Sequence, residues 1–242
     1  MTRLDIMVNA ESRNKARELI LCGNIKVDGK IITKPSFLVS DNSEIEIISA
    51  TKYVSRAGYK LETAVEIFGI DFTDLTCLDA GASTGGFTDL MLKKGAKKVY
   101  AVDVGEGQLH ESLRENAKVI SMEKQDIRTL ELPEKIDFIT ADLSFISLKL
   151  IIPIFSGFLA PEGACEVLIK LQFEAGKQHF KNGIIKDNKL IKKIIKDIEK
   201  FIEEQNYKII GTVESKLNEK EKNREFLCYF CRGAQCAPVE DS

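Results

Sequence analysis

Residues 77–95, CLDAGASTGGFTDLMLKKG, decide how this chain is read. An apolar strand ends near Asp79, a loop carrying Gly81, Gly85 and Gly86 follows, and a helix then begins. Glycines in a strand-to-helix loop let backbone approach a ligand closely at the carboxyl edge of a sheet. The spacing GxSTGG is not the GxGxxG of dinucleotide binders, and no GK[ST] is present to cradle a triphosphate. The next strand, in KKVYAVDVGEGQL, ends in Asp103, about twenty positions after the loop, where a carboxylate can accept hydrogen bonds from a ribose diol. The strand after it leads to Asp126 in KQDIRTL, placed to bond an adenine amino group. Taken singly, each acid suits a turn or a cap. Three acids at successive strand ends point to an adenosyl ligand.

Around this loop the pattern alternates apolar strands with amphipathic helices. Strands are predicted at 76–80, 98–103, 118–121, 136–142, 164–170, 207–214 and 225–231. Helices are predicted at about 58–68, 86–94, 107–116, 147–158 and 187–204. In the last of these Leu190, Ile191, Ile194, Ile195, Ile198, Phe201 and Ile202 recur at helical spacing, and the lysines between them read as a solvated face. Five alternations closed by two strands with no helix between them imply an α/β fold. It is a Rossmann-like, doubly wound sheet of seven strands with an antiparallel hairpin at its edge.

The first fifty residues read as a separate, small α+β unit. Ser12 is placed to cap a helix running to about Cys22, with Ala16, Leu19 and Ile20 inward and Gly23 as its stop. Two short strands, IKVDG and KII, meet at the turn signal Asp28-Gly29, and 44–48 supplies another. The expected layout is thus 1–50, a linker at 51–57, the sheet domain at 58–232 and a polar tail at 233–242. Net charge is −2 over 242 residues, so any basic surface must be local. No stretch reaches the roughly 18 apolar residues needed to span a bilayer. The N-terminus has no secretory pattern, and with unpaired cysteines this implies the cytoplasm. Cys228, Cys231 and Cys236 lie near one another. With His110 and His179 far away they match no common zinc set, and no metal is expected.

These residues resemble the FtsJ-type methyltransferases, and more closely the TlyA family of ribosomal RNA 2′-O-methyltransferases, whose members are often labelled haemolysins. The resemblance runs through RLD, SRNKARELI and VDGK, then YVSRAGYKLETA, LDAGASTGGFTD, AVDVGEGQL, ADLSFISL, IKLQFEAGK and NREFL. It implies S-adenosylmethionine as cofactor. The matching positions are Asp79, Gly81, Ala82, Ser83, Thr84, Gly85, Gly86, Phe87, Asp103, Val104, Gln108, Leu109, Asp126, Ile127 and Asp142. It also implies an N-terminal RNA-binding domain like that of ribosomal small-subunit protein four, with Arg3, Ser12, Arg13, Arg17, Lys26 and Lys30 at the RNA positions. Arg13 and Arg17 are one helical turn apart and can meet phosphates on one face. The implied partner is ribosomal RNA or a ribosomal subunit, and no membrane.

FtsJ-type enzymes use a Lys-Asp-Lys-Glu tetrad, which falls here on Lys60, Asp142, Lys170 and Glu225. Independently, Asp142 and Lys170 each close an apolar run, so both should stand beside the cofactor cleft, and a charge at a buried strand end needs a partner. A ribose hydroxyl is a poor nucleophile and needs a base. Free lysine titrates at about 10.4, so a lysine base must be perturbed. Burial and a second cation act in that direction, and the acids oppose it. Lys170 is therefore read as the base, Lys60 as electrostatic support, and Asp142 and Glu225 as positioning groups. Two departures from the family stand out: Leu171 replaces the usual Pro after the second lysine, and Asp28 the usual Asn. Ser144, Phe145 and Phe173 lie beside the tetrad, where either phenylalanine serves as a stacking face for a splayed base or as an apolar wall. The competing reading is an RNA-binding assembly factor or haemolysin-like protein without methyl transfer.

Overall fold

The alternation that begins near residue 57 folds into one mixed sheet flanked by helices. The computed structural model describes residues 1–10, 12–21, 23–48, 52–176, 184–217 and 223–233. Glu11, Cys22, His179, Cys236 and the expected tail beyond 233 lie outside the described residues. The chain divides into two compact units, Met1–Arg56 and Ala57–Ser242.

In the first unit β1 (Thr2–Arg3) leads into α1 (Leu4–Met7) and α2 (Arg13–Leu21). Then come β2 (Ile25–Val27), β3 (Lys30–Ile31), β4 (Leu38–Val39) and β5 (Ile45–Ile47). Ser12 caps α2, its Oγ accepting from Lys15 N at 3.1 Å. Asp28 and Gly29 both have positive φ, 49° and 76°, the combination that a two-residue turn between twisted strands requires. The Asp28 carboxylate also accepts from Glu44 N at 2.9 Å, tying the turn to the approach of β5. Leu4, Val8, Ala16, Leu19, Ile20, Ile25, Val27 and Val39 form the core.

The second unit contains α3 (Ala57–Phe68), β6 (Thr76–Ala80), α4 (Gly86–Lys93), β7 (Lys98–Val102), α5 (Glu111–Arg114) and β8 (Val119–Met122). After these come β9 (Ile136–Ala141), α6 (Ile152–Phe158), β10 (Leu159–Lys170), α7 (Leu171–Glu174), α8 (Asn188–Glu204), β11 (Lys208–Glu214) and β12 (Glu225–Cys231). The sheet order is β11-β12-β10-β9-β6-β7-β8. The strands from β10 through β8 are parallel, and β12 inserts antiparallel between β10 and β11. The chain order reverses at β6, whose neighbours are β7 and β9, and a ligand crevice opens outside such a switch point.

Three elements differ from the sequence expectation. The helix expected at 107–116 is confined to Glu111–Arg114. Gly107 has φ +64°, and the Glu123 carboxylate takes the N–H groups of Gln108 and Leu109. The helix expected at 147–158 is broken at Ile151 into a 3-10 turn, Leu148–Leu150, and α6. Strand β10 begins at Leu159, with a register shift before Ala164. Cys228 and Cys231 do stand at C-x-x-C spacing. On a strand, three residues apart means opposite faces, and both thiols are buried. Among the described residues no His, Cys, Asp and Glu group is placed to hold a metal.

Candidate active site

Gly81 sets the geometry of the cleft. Its φ is +84°, and a Cβ there would lie 2.9 Å from the Asp142 carbonyl oxygen. Only glycine allows the loop after β6 to pass so close to the end of β9. Gly85, at φ +94°, is the residue preceding α4. A cavity of about 730 Å³ opens here. Of the expected cofactor residues, Gly81, Ser83, Asp103, Val104, Gln108, Asp126, Ile127 and Asp142 line it. Asp79, Ala82, Thr84, Gly85, Gly86, Phe87 and Leu109 are not in its wall.

The three acids have distinct surroundings. Asp79 is buried and accepts from Thr88 N and Oγ1 and from Thr140 Oγ1, fastening β6 to α4 and β9. Burial pushes its carboxyl up to about 6 against these hydrogen bonds. Asp103 accepts Ser83 N at 2.8 Å on one oxygen and Gly105 N at 2.7 Å on the other. A carboxylate has about four acceptor positions, so two backbone donors leave capacity for a diol. Asp126 is gripped by Arg128 through its backbone N–H and guanidinium, which lowers its carboxyl to about 2.

Beside the cleft, four charged side chains converge from four elements. Lys170 ends β10 and is the cross-strand partner of Glu225, which opens β12. Asp142 follows β9, and Lys60 comes from α3. Lys170 Nζ lies 2.5 Å from Asp142 Oδ1 and donates to Ser144 Oγ at 2.9 Å. Lys60 Nζ lies 2.8 Å from Glu225 Oε2 and 3.5 Å from Asp142 Oδ2. For Lys60, burial favours loss of the proton, but the combined pull of Asp142 and Glu225 outweighs it and raises the pKa. Lys60 is thus fixed as an ammonium between two carboxylates. The next segment carries Phe145, which is 92% exposed with φ +65°. A bulky residue in the left-handed region is strained, and its ring lies 5.4 Å from that of Phe173.

A glycine cradle, a cleft-lining acid and the Lys-Asp-Lys-Glu cluster thus share one edge of a doubly wound sheet. The FtsJ-like methyltransferase model matches residues 53–232, and the S4 domain model matches residues 2–45. The chain belongs to the FtsJ-like methyltransferases. It is 41% identical to Hemolysin A of Brachyspira hyodysenteriae, over 94% of this chain and 99% of that protein. It is 37% identical to the 16S/23S rRNA (cytidine-2′-O)-methyltransferase TlyA of Mycobacterium tuberculosis, over 91% of this chain and 85% of that one. The solved structure of a hemolysin-like protein from Streptococcus thermophilus superimposes with a TM-score of 0.75. It is 35% identical and covers 95% of this chain and 88% of that one.

The cofactor of such methyltransferases is S-adenosylmethionine, and the cleft fits it. Its volume is in the range of small-molecule sites, Asp103 faces it with spare acceptor capacity, and Val104 and Leu150 offer exposed apolar surface in its wall. Several lining residues escaped the sequence reading: Gln125, Arg128, Leu143, Ile146, Ser147, Leu150 and Ile151. Arg128 had a faint signal, a cation two residues after Asp126. The segment 143–151 had none, because it reaches the cleft only when Glu174 holds Ser147 Oγ at 2.6 Å and Leu148 N at 2.8 Å. Leu171 also finds an explanation. It is the first residue of α7 and fully buried, a position where proline is tolerated because the N–H has no intrahelical partner. Leucine therefore keeps the turn and adds core contact.

Within the first unit, Arg3 and Arg13 share one partner. Asp5, its side chain fully buried, accepts from Arg3 at 2.9 and 3.0 Å and from Arg13 at 3.3 and 3.2 Å. Hydrogen bonding to Arg3 above all holds its carboxyl down at about 2, against burial. Asp5 sits in the RLD motif but was not singled out in the sequence, where it resembles any surface acid. Arg17 and Lys30 are exposed, Lys26 lies 3.7 Å from Glu46, and the Ser12 hydroxyl is spent on capping α2.

Proposed function

We propose that this FtsJ-like methyltransferase methylates a ribose 2′-hydroxyl of ribosomal RNA, at cytidine, in the cytoplasm. The observation that carries the reading is the asymmetric tetrad beside the cleft. Lys60 touches two carboxylates, whereas Lys170 has one carboxylate, shared with Lys60, and one hydroxyl. The naming of the Mycobacterium tuberculosis relative supports the cytidine 2′-hydroxyl, and the S4 match supports RNA as partner. S-adenosylmethionine, when bound, supplies an electrophilic methyl group on a sulfonium sulfur that leaves as a neutral thioether.

The chain's own residues do the rest. Lys170 accepts the hydroxyl proton as the hydroxyl oxygen bonds to the methyl carbon. Lys60 stays cationic and stabilises the negative charge growing on that oxygen. Asp142 and Glu225 hold the two nitrogens in place, and Ser144 orients Lys170. Phe145 and Phe173 offer faces for the base of the splayed nucleotide. Arg3 and Arg13, aligned by Asp5, meet phosphates with Arg17, Lys26 and Lys30.

The test is Lys170→Ala. Methyl transfer to ribosomal RNA is expected to fall by at least about 100-fold, the scale of one general base, while calorimetry shows S-adenosylmethionine binding unchanged. Full turnover by the variant removes Lys170 from the base role. A wild-type protein that binds the cofactor yet leaves every ribosomal ribose open to alkaline cleavage refutes the activity itself.

A further inference from the structure

Helix α8 carries its charges in the order that a helix disfavours. Residues 188–196 hold Lys189, Lys192, Lys193 and Lys196 and no acid, whereas 197–204 hold Asp197, Glu199, Glu203 and Glu204 with the single Lys200. The macrodipole favours acids at the start and cations at the end. The Lys200–Glu204 pair, at 3.7 Å, is likewise in the less favourable i to i+4 orientation. Only Asp187, which caps the helix through Lys189 N, follows the usual rule.

The four lysines also form one face. At 100° per residue, 189, 192, 193 and 196 cluster opposite the buried Ile191, Ile194, Ile198 and Ile202. All four are exposed, and none has an ion-pair partner among the described residues. The end that bears them is held at the same edge of the sheet as the tetrad, on the face opposite the one to which Glu225 points. Arg224, next to Glu225, donates to Asn188 Oδ1 at 3.0 Å, and Asn223 Oδ1 accepts from Ile185 N at 2.7 Å. Helix α7, which follows Lys170, packs on α8.

A lysine face that serves only solubility has no reason to crowd the wrong end of its helix. We propose that this face of α8 is a second phosphate-binding surface, holding the backbone of the substrate RNA where it runs past the sheet edge that carries the tetrad. The inference rests on the RNA reading above. It assigns the methyltransferase domain its own grip on RNA, apart from that of the N-terminal unit, and it identifies the partner as a polyanion whose charge complements four exposed ammonium groups.

The experiment compares wild type with a variant combining Lys189→Gln, Lys192→Gln, Lys193→Gln and Lys196→Gln, using transcribed, unmodified ribosomal RNA. Each lost phosphate contact should flatten the slope of log affinity against log salt by roughly 0.7–0.9, so a total change near 3 is expected. KM for RNA should rise at least ten-fold, with kcat and cofactor affinity held. A second variant, Lys189→Glu with Lys192→Glu, separates binding from folding. Acids at a helix start favour the dipole, so its melting temperature should hold or rise while RNA affinity falls. Lys200→Gln, in the acidic half, should change neither. Unaltered salt slope and KM in the four-fold variant overturn the surface, even if wild type methylates RNA normally. So does loss of binding to phosphatidylserine vesicles with RNA binding intact. A wild type that methylates no RNA overturns the function on which the surface rests.

Discussion

Gly81→Ala is the sharpest probe of how the cofactor loop and the tetrad depend on each other. The added Cβ would sit 2.9 Å from the Asp142 carbonyl oxygen and 3.1 Å from Leu143 Cδ2, on a backbone at φ +84°. The left-handed conformation costs a non-glycine residue about 1–2 kcal/mol. Forcing a methyl against backbone adds about 1–3 kcal/mol, since the carbonyl cannot rotate away like a side chain. Asp142 N is itself bonded to Ala80 O at 3.1 Å, so the strain falls on the segment that carries the tetrad carboxylate. The sum, about 2–5 kcal/mol, should lower the melting temperature by roughly 5–15 °C for a unit of this size. A shift of a few tenths of an ångström at Asp142 should reduce kcat about ten-fold, given that 1 Å can cost 100-fold. Gly107→Ala is the control, because Gly107 has φ +64° and nothing within 4 Å of the added atom. It should show the conformational cost alone and retain kcat. Thermal melts and single-turnover methylation read both variants. Equal losses in the two, or full activity in Gly81→Ala, would refute the claim that close approach to Asp142 fixes this glycine.

Two further outcomes are expected. Glu166 is fully buried in β10 with neither carboxyl oxygen hydrogen-bonded among the described residues, and burial raises its pKa well above the ordinary range. A carboxyl raised in the folded state binds its proton more tightly there, so stability is lost as pH rises above the unfolded value, by about 1.4 kcal/mol per pH unit until the folded group ionises. Asp79 adds a similar slope up to about pH 6. Glu166→Gln should keep the Asp79 slope and lose the one above pH 6 in melts from pH 5 to 8, and identical slopes would count against a buried, neutral Glu166. Leu171→Pro, at the first position of α7, should retain methyl transfer within about two-fold and lose some stability through the vacated core. Loss of transfer would mean that the Leu171 N–H matters to the placement of Lys170.

The fold was legible because its elements are long and periodic. The repeat of Ile191, Ile194, Ile198 and Ile202 admits only a helix, and apolar runs that alternate with helices and close on a two-strand hairpin admit few topologies. The short strands about the Asp28-Gly29 turn were legible from their turn signal, but other short elements were not. The turn at Leu148–Leu150 and helix α7 depend on Glu174 reaching across to Ser147 and Leu148, a contact 26 or 27 residues away in sequence. The spacing between cysteines also said little until β12 placed Cys228 and Cys231 on opposite faces.

By itself the sequence determined the residue types at the site: a glycine loop, three acids at strand ends, and a tetrad at motif positions. Local chemistry and chain order suffice for that, since strand ends face a crevice in any doubly wound sheet. Only the tertiary structure decided what each group does with its neighbours. It committed Asp79 to Thr88 and Thr140 and Asp126 to Arg128, and left Asp103 with capacity for a ligand. It gave Lys60 two carboxylates and Lys170 one. It set the start of α8 against Arg224, one residue before Glu225, turning a face that read as merely solvated into a candidate grip on RNA. The physical reason is that charge, burial and hydrogen-bond partners are properties of distance in space, and residues 60, 142, 170 and 225 become neighbours only when the sheet closes around them.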